Sequence, residues 1–220
     1  ILCPLCNSPL MPLSTKESDI LRPASIYAAN KLSQENLVKI SCTSSNIDYS
    51  ILRLQNVYGE GQSLINPYTG ILSIFSTKIR NGSFLPLFED GKESRDFVHV
   101  DDIVNAILKC LKKREPINQV LNVGSGISHS IEEIANLLSY SFNSAPKIKV
   151  TGEYRIGDIR NNKADMSKTN EIIGFKPAIS IQEGLKRFAQ WVDKQPLPVD
   201  KVEDANLELM NRGLLGNKDK

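Results

Sequence analysis

Histidine is scarce in this chain: His99 and His129 are the only two among 220 residues. A histidine-rich metal centre is thereby excluded, and any Ser-His-Asp triad would have to use one of the pair. Long apolar runs are missing as well. None approaches the roughly 18 residues that span a bilayer, and no signal-type apolar core follows Ile1, which stands where an initiator Met would be. Charge of one sign is not in excess either. With 27 basic and 25 acidic residues the net charge is +2, and no basic stripe marks a nucleic-acid surface. What remains, 40% hydrophobic and 24% charged, is a folded globular composition of one large or two small domains. Such a chain buries roughly 70% of its unfolded surface.

Four cysteines are present. Cys3 and Cys6 form a CxxC, a spacing in which two thiolates can grip one tetrahedral Zn²⁺. Two more ligands are required, and Cys42 and Cys110 fall in segments that read as helices, as small buried hydrophobes. The stretch Cys-Pro-Leu-Cys-Asn-Ser-Pro-Leu thus resembles one knuckle of a zinc ribbon whose other knuckle is absent or lies before residue 1. Cys3 and Cys6 are the candidate metal ligands, for a structural zinc in a longer protein. A redox role is less favoured, because such motifs open a helix after a strand, whereas Pro4 and Pro9 punctuate a loop. Reduced thiols and no secretory segment point to the cytoplasm.

Along the chain, apolar residues recur at helical spacing from Ile26 to about Cys42, with Ser25 as N-cap. Tyr49 to Leu54 has the character of a buried strand, and Gly59, Gly61, Asn66 and Pro67 mark a long loop. Ile71 to Ile79 reads as a helix closed by Asn81-Gly82. Phe84 to Phe88 and Phe97 to Val100 read as strands joined through the turn Glu89-Asp90-Gly91. Asp101 or Asp102 is expected to cap a helix running to about Lys113, with Lys112, Lys113 and Arg114 at the negative end of its dipole. Beyond it come a strand (119–123), a helix (130–140), a strand (147–150) and two helices (167–173 and 181–194). After Trp191 the character changes: Pro196, Pro198 and a charged run precede a short amphipathic helix and a ragged tail. The alternation of strand and helix predicts an α/β fold with a parallel sheet.

Tyr27-Ala-Ala-Asn-Lys31 is the stretch richest in chemistry, since it sets a phenol and an ammonium at i and i+4 on one helix face. A free phenol is a poor base at neutral pH, and a neighbouring Lys⁺ stabilises its phenolate. Ala28 and Ala29 leave the helix surface low enough for a flat cofactor. This equipment suits removal of a hydroxyl proton while hydride leaves the same carbon.

Four stretches in order carry a resemblance: Pro23 to Lys31, Leu52-Arg-Leu-Gln-Asn-Val-Tyr-Gly59, Glu89 to Asp102, and Gly157 to Asp165 with Ser167-Lys168. Together they resemble the extended short-chain dehydrogenase/reductases, specifically the NAD-dependent nucleotide-sugar epimerases and dehydratases. The likeness covers nearly all of residues 15 to 194. The Cys-containing insertion before Tyr27 is similar to that of dTDP-L-rhamnose 4-epimerase-like members.

The resemblance implies that Tyr27 is the general base and that Lys31 assists it and holds the nicotinamide ribose. It implies that Asn56 and Val57 touch substrate and the nicotinamide carboxamide. Arg95 would bind the substrate pyrophosphate, for which a planar guanidinium is suited, with Arg155 as the second pyrophosphate arginine and Asp158 on a ribose hydroxyl. Phe88 and the backbone around Leu85 to Leu87 would form the wall for the nucleotide base. A plain alternative pairs Arg95 with Asp96. Gly124-Ser-Gly126 is read as an ordinary turn, because His129 occupies the place of the third glycine in a dinucleotide fingerprint. His99 is read as a strand residue and Asp101 as a helix cap.

In that family the Gly-rich NAD turn, the acidic ribose contact and a catalytic Ser or Thr all precede the Tyr helix. Only a short leader does so here, so the chain is expected to be the C-terminal portion of a longer enzyme. The implied layout is a Cys-containing leader (1–22), part of an incomplete Rossmann-type NAD domain (23–60 and 95–128), a sugar-nucleotide-binding part (61–94 and 129–195) and a tail (196–220). The implied reaction is oxidation at sugar C4 to a 4-keto intermediate and re-reduction, with a dTDP- or UDP-sugar as substrate, NAD as cofactor and a homodimer as assembly. A 4,6-dehydratase, or another dehydratase or decarboxylase of the family, is the first alternative. A non-catalytic sugar-nucleotide-binding or oligomerisation module is the second. No nucleic acid and no membrane is expected as a partner.

Overall fold

The computed structural model describes residues 2–65, 70–200 and 202–217. Ile1, Asn66 and Pro67, which figure in the sequence reading, lie outside the described residues. Helix α1 (Ile26–Ser44) leads into β1 (Ser50–Leu54) and, after Gln55, β2 (Asn56–Tyr58). Then come α2 (Ile71–Arg80), β3 (Leu85–Leu87), β4 (Ser94–His99), α3 (Val100–Lys112) and β5 (Gln119–Val123). The chain continues through β6 (Ser128–Ser130), α4 (Ile131–Ser141), β7 (Ile148–Val150), β8 (Glu153–Arg155), α5 (Ser167–Ile173) and α6 (Ile181–Asp193). It closes with α7 (Val202–Asn211) and β9 (Leu215–Asn217).

Parallel pairing joins β1 to β5, β2 to β4 and β3 to β7, while β6 adds antiparallel to β4 and β9 to β8. One extended run, β1 into β2, therefore serves two sheets. On its far edge β5 is closed by side chains: Lys168 donates to the Val120 carbonyl, Thr169 to the Asn122 carbonyl, and Glu17 accepts from the Asn122 N–H. The leader reaches this edge at Asn122, whose side-chain amide donates to the Thr15 carbonyl at 2.9 Å, and Thr15 also bridges to Ala164.

Period-two alternation in β4 divides the interior. Phe97 enters a cluster with Leu72 and Phe75 of α2, Leu85 and Leu87 of β3, Ile134 and Leu138 of α4, and Leu185 and Phe188 of α6. Its neighbour Val98 faces the other way, against Ile103, Ala106, Val123 and Phe175. Each of the large buried side chains contributes roughly 1.5–3 kcal/mol relative to exposure. No helix among the described residues is long and apolar enough to cross a membrane.

Several sequence expectations are corrected. The cap of α3 is His99, whose Nδ1 accepts from the Asp101 N–H at 3.2 Å, so Val100 is helical and β4 ends at His99. Asp102 is buried and accepts instead from the Ala178 and Ile179 N–H groups at 2.9 and 3.1 Å. Cys42 and Cys110 are half-buried. The tail is not ragged throughout: β9 pairs with β8, Tyr154 opposite Gly216. Strands of three residues, as β6, β8 and β9 are, carry too little alternation to read.

Candidate active site

A cavity of about 280 Å³ lies where β2, β4 and β8 converge, and Asn56, Val57, Phe88, Arg95, Arg155 and Asp158 all line it. Arg95 comes from the same strand as Asp96 but faces the opposite side. Its Nη2 donates to Asp158 Oδ1 at 2.8 Å and its Nη1 to the Ser94 carbonyl at 2.9 Å. Pairing with Asp96 does not occur. Asp96 is fully buried and accepts from the Ser125 N–H (2.7 Å), the Ser125 hydroxyl (2.6 Å), the Gly126 N–H (3.0 Å) and the Ala164 N–H (3.2 Å). Gly124 is obligatory beside it, since a Cβ there would meet Asp96 Oδ2 at 2.6 Å. Gly124 and Gly126 are thus turn residues holding a carboxylate of the chain itself.

Arg155 lays its guanidinium over the Phe88 ring, 5.5 Å from the centroid, a distance at which ring and cation attract. Its Nε is buried without a hydrogen-bond partner, a donor held free beside the cavity. Asp158 Oδ1 also accepts from the Ile159 N–H at 2.7 Å. Of the 85–87 backbone, Pro86 lines the cavity, whereas the Leu87 side chain sits in the core and its carbonyl accepts from the Thr151 N–H and hydroxyl. Of Leu87 and Phe88, Phe88 alone lines the cavity.

Ser25 caps α1 by accepting from the Ala28 N–H at 3.1 Å, which fixes the first turn that carries Tyr27. The Lys31 ammonium stands 5.8 Å from the Tyr27 ring centroid and donates to Gln34 Oε1 at 3.3 Å. Tyr27 is 72% exposed and neither residue lines the cavity. The start of α1 nevertheless abuts its rim, for a Cβ on Gly157, next to Asp158, would meet the Ala24 carbonyl oxygen at 3.0 Å.

Sequence reading missed Glu89, Glu93 and Tyr154, as well as Val202 and Asn206 of the tail helix, all of which line the cavity. A signal existed for Glu93, which stands just ahead of β4 and precedes Arg95 by two, so that the extended pairing, carried back by the Ile131 N–H to the Glu93 carbonyl, sets it on the Arg95 face. The Arg160 guanidinium bridges Glu89 and Asp90 at 2.7 Å each and holds the Asp90 carboxyl down to about 2. Burial pushes the Glu93 carboxyl up.

Near the far end of β2, His99 is buried with Nε2 3.0 Å from Glu60. Because Nδ1 accepts from a backbone N–H, Nε2 carries the proton and donates. Arg187 then closes the group, reaching Glu60 at 2.9 Å and Asp101 at 2.7 Å. Both ring nitrogens are committed, in keeping with a structural His99. Cys3 and Cys6 share a tight turn in which the Cys3 N–H donates to the Ser8 carbonyl and the Asn7 N–H to the Cys3 carbonyl. No third Cys, His, Asp or Glu joins them in a metal-binding group among the described residues, so these residues do not complete a zinc site.

A profile of the NAD dependent epimerase/dehydratase family matches residues 7–124. The chain belongs to this family. It is 38% identical over 174 residues to dTDP-L-rhamnose 4-epimerase of Burkholderia thailandensis, covering 79% of this chain and 48% of that protein. Among solved structures it resembles UDP-N-acetylglucosamine 4-epimerase of Methanobrevibacter ruminantium in complex with UDP-N-acetylmuramic acid (33% identity, TM-score 0.75, 86% of this chain and 59% of that one). It also resembles Thermus thermophilus UDP-glucose 4-epimerase in complex with NAD (25%, TM-score 0.74, 84% and 59%). The fold class read from the sequence, α/β with a Rossmann-type parallel sheet, agrees. This chain spans about half the length of the curated relatives it matches. For NAD, the residues present fit the nicotinamide end: a phenol and an ammonium stand together on an exposed helix face, with Asn56 and Val57 at the cavity.

Proposed function

We propose that this chain carries the base and the substrate pocket of an NAD-dependent nucleotide-sugar 4-epimerase. The observation behind this reading is the convergence of Arg95, Arg155, Asp158 and Phe88 on one cavity, with the Arg155 Nε unpaired. Arg95 and Arg155 hold the diphosphate of a dTDP- or UDP-sugar. Phe88 supports the base, and Asp158 takes a ribose hydroxyl on Oδ2 while Oδ1 steers Arg95. Tyr27 removes the proton from the sugar C4 hydroxyl, and Lys31 steadies the phenolate. Tyr27, Lys31, Asn56 and Val57 are the residues that would hold the nicotinamide end of NAD, which when bound supplies the redox chemistry. Because the arginines grip only the diphosphate, the sugar ring is left free to turn over between the two proton transfers. A 4,6-dehydratase starts with the same proton removal.

The domain division read from the sequence, with 23–60 and 95–128 on the cofactor side and 61–94 and 129–195 on the substrate side, is followed only in part by the two hydrophobic clusters: Tyr58 and Phe97 of the cofactor side pack in the substrate-side cluster, and Met166, Ile173 and Phe175 of the substrate side pack in the other. Homodimerisation is supported by apolar residues exposed on α1, among them Leu37 and Ile40. Free thiols at all four cysteines accord with the cytoplasm.

Isothermal titration of the chain with UDP and dTDP tests the pocket. Arg95→Ala and Arg155→Ala are each expected to weaken binding about tenfold or more, the equivalent of 1.4 kcal/mol; unchanged affinity would refute the assignment. In an assay with NAD and dTDP- or UDP-hexoses, Tyr27→Phe in the enzyme containing this chain is expected to abolish turnover. A second reading, a binding module without catalysis, is favoured by the absence of Tyr27 and Lys31 from the cavity lining. Full turnover in the Tyr27→Phe enzyme would remove Tyr27 from the reaction.

A further inference from the structure

Glu93 is 7% exposed, lines the cavity, and has no hydrogen-bond partner at either carboxylate oxygen. A buried carboxyl with nothing to bond is costly, and packing alone would be better served by an apolar residue. Its position along the strand shows what would satisfy it. Successive same-face positions of an extended strand are about 6.6 Å apart. From the turn inward these positions are Glu93, just ahead of β4 with its carbonyl accepting from the Ile131 N–H, then Arg95 and Phe97, the last paired with Asn56. A nucleotide sugar laid along this line, with its diphosphate at Arg95 and its sugar toward Asn56, brings its base to the Glu93 end, where Phe88 also stands.

We propose that Glu93 recognises the hydrogen-bonding edge of the pyrimidine base of a nucleoside diphosphate. The proposal rests on the nucleotide-sugar reading of the cavity. A pyrimidine offers a donor beside an acceptor, N3–H beside a carbonyl in uracil and thymine, or an amino group beside N3 in cytosine. A neutral carboxylic acid offers the matching acceptor and donor side by side. Glu89 and Asp90 of the preceding turn press toward the neutral form and Arg160 opposes them, but Arg160 is already engaged by those two carboxylates. Burial then favours the neutral acid.

The test compares Glu93→Gln with Glu93→Leu in titrations of the chain with UDP and with inorganic pyrophosphate. An amide presents the same donor and acceptor as the neutral acid, so Glu93→Gln is expected to bind UDP within twofold of wild type. Glu93→Leu is expected to lose about tenfold on UDP and nothing on pyrophosphate. Equal UDP affinity in all three proteins would overturn the role of Glu93 and leave the pocket standing. So would a pyrophosphate loss as large as the UDP loss, since the leucine would then have damaged the anion site. Failure of the wild-type chain to bind UDP at all, with pyrophosphate as weak, would overturn the nucleotide reading and this inference together.

Discussion

Asp102 terminates two backbone donors, at Ala178 and Ile179, and Asp102→Ala strands them. We expect a loss of about 1–3 kcal/mol, read as a lower urea midpoint at unchanged slope. Glu93 acts in the opposite sense. Its carboxyl is raised in the fold, so it is harmless below the ordinary carboxylate range and destabilises increasingly as pH climbs through the window above the usual 4.5. Glu93→Gln should therefore melt higher than wild type at pH 8 and equally at pH 4. The thiols divide likewise: Ser8 holds Cys6 below the usual range, whereas burial pushes Cys110 up. Timed alkylation read by mass spectrometry should label Cys6 first and Cys110 last. At this scale the sequence points to residues whose type is itself the chemistry: Arg95 lines the cavity, while Tyr27 and Lys31 stand outside its lining. The sequence is opaque where role depends on partners far along the chain. Nothing local tells that Asp96 belongs to Ser125 and Ala164, or that His99 rather than Asp101 caps a helix.

Helices are the elements whose limits showed through best, because most cover several turns of apolar periodicity and several begin at a capping side chain. Ser25, Ser130 and Ser180 each accept from the N–H three residues on. Ser25→Ala should cost about 1 kcal/mol and hasten amide hydrogen exchange over the first turn of α1, at Tyr27 and Ala28, before anywhere else. Short strands stayed hidden since three residues hold barely one alternation, and β8 with β9 depends on partners about 60 positions apart. Packing between elements is equally illegible in one dimension. Gly184 in α6 looks replaceable, yet a Cβ there would run into the hydroxyl of buried Tyr58. Alanine is the better helix former by about 1 kcal/mol, and overpacking costs typically 1–3. Gly184→Ala is thus expected to lower the melting temperature despite its propensity, and Gly184→Ala with Tyr58→Phe to recover only part of the loss, since the ring carbon that Phe keeps would stand 2.8 Å from the new Cβ.

As a whole molecule the chain keeps a substantial apolar area in water, with Leu37 and Ile40 on α1 more than 60% exposed and Leu111 on α3 at 76%. Patches of this kind mark surfaces made to be covered. Sedimentation velocity across a concentration series should show association that Leu37→Glu with Ile40→Glu suppresses, with the circular dichroism unchanged. The closed edge of β5 gives such association a limit. Lys168, Thr169 and Glu17 occupy the outward groups of that strand, while β1 pairs on one side with β5. A strand extending this sheet at β5 would first have to displace those three side chains.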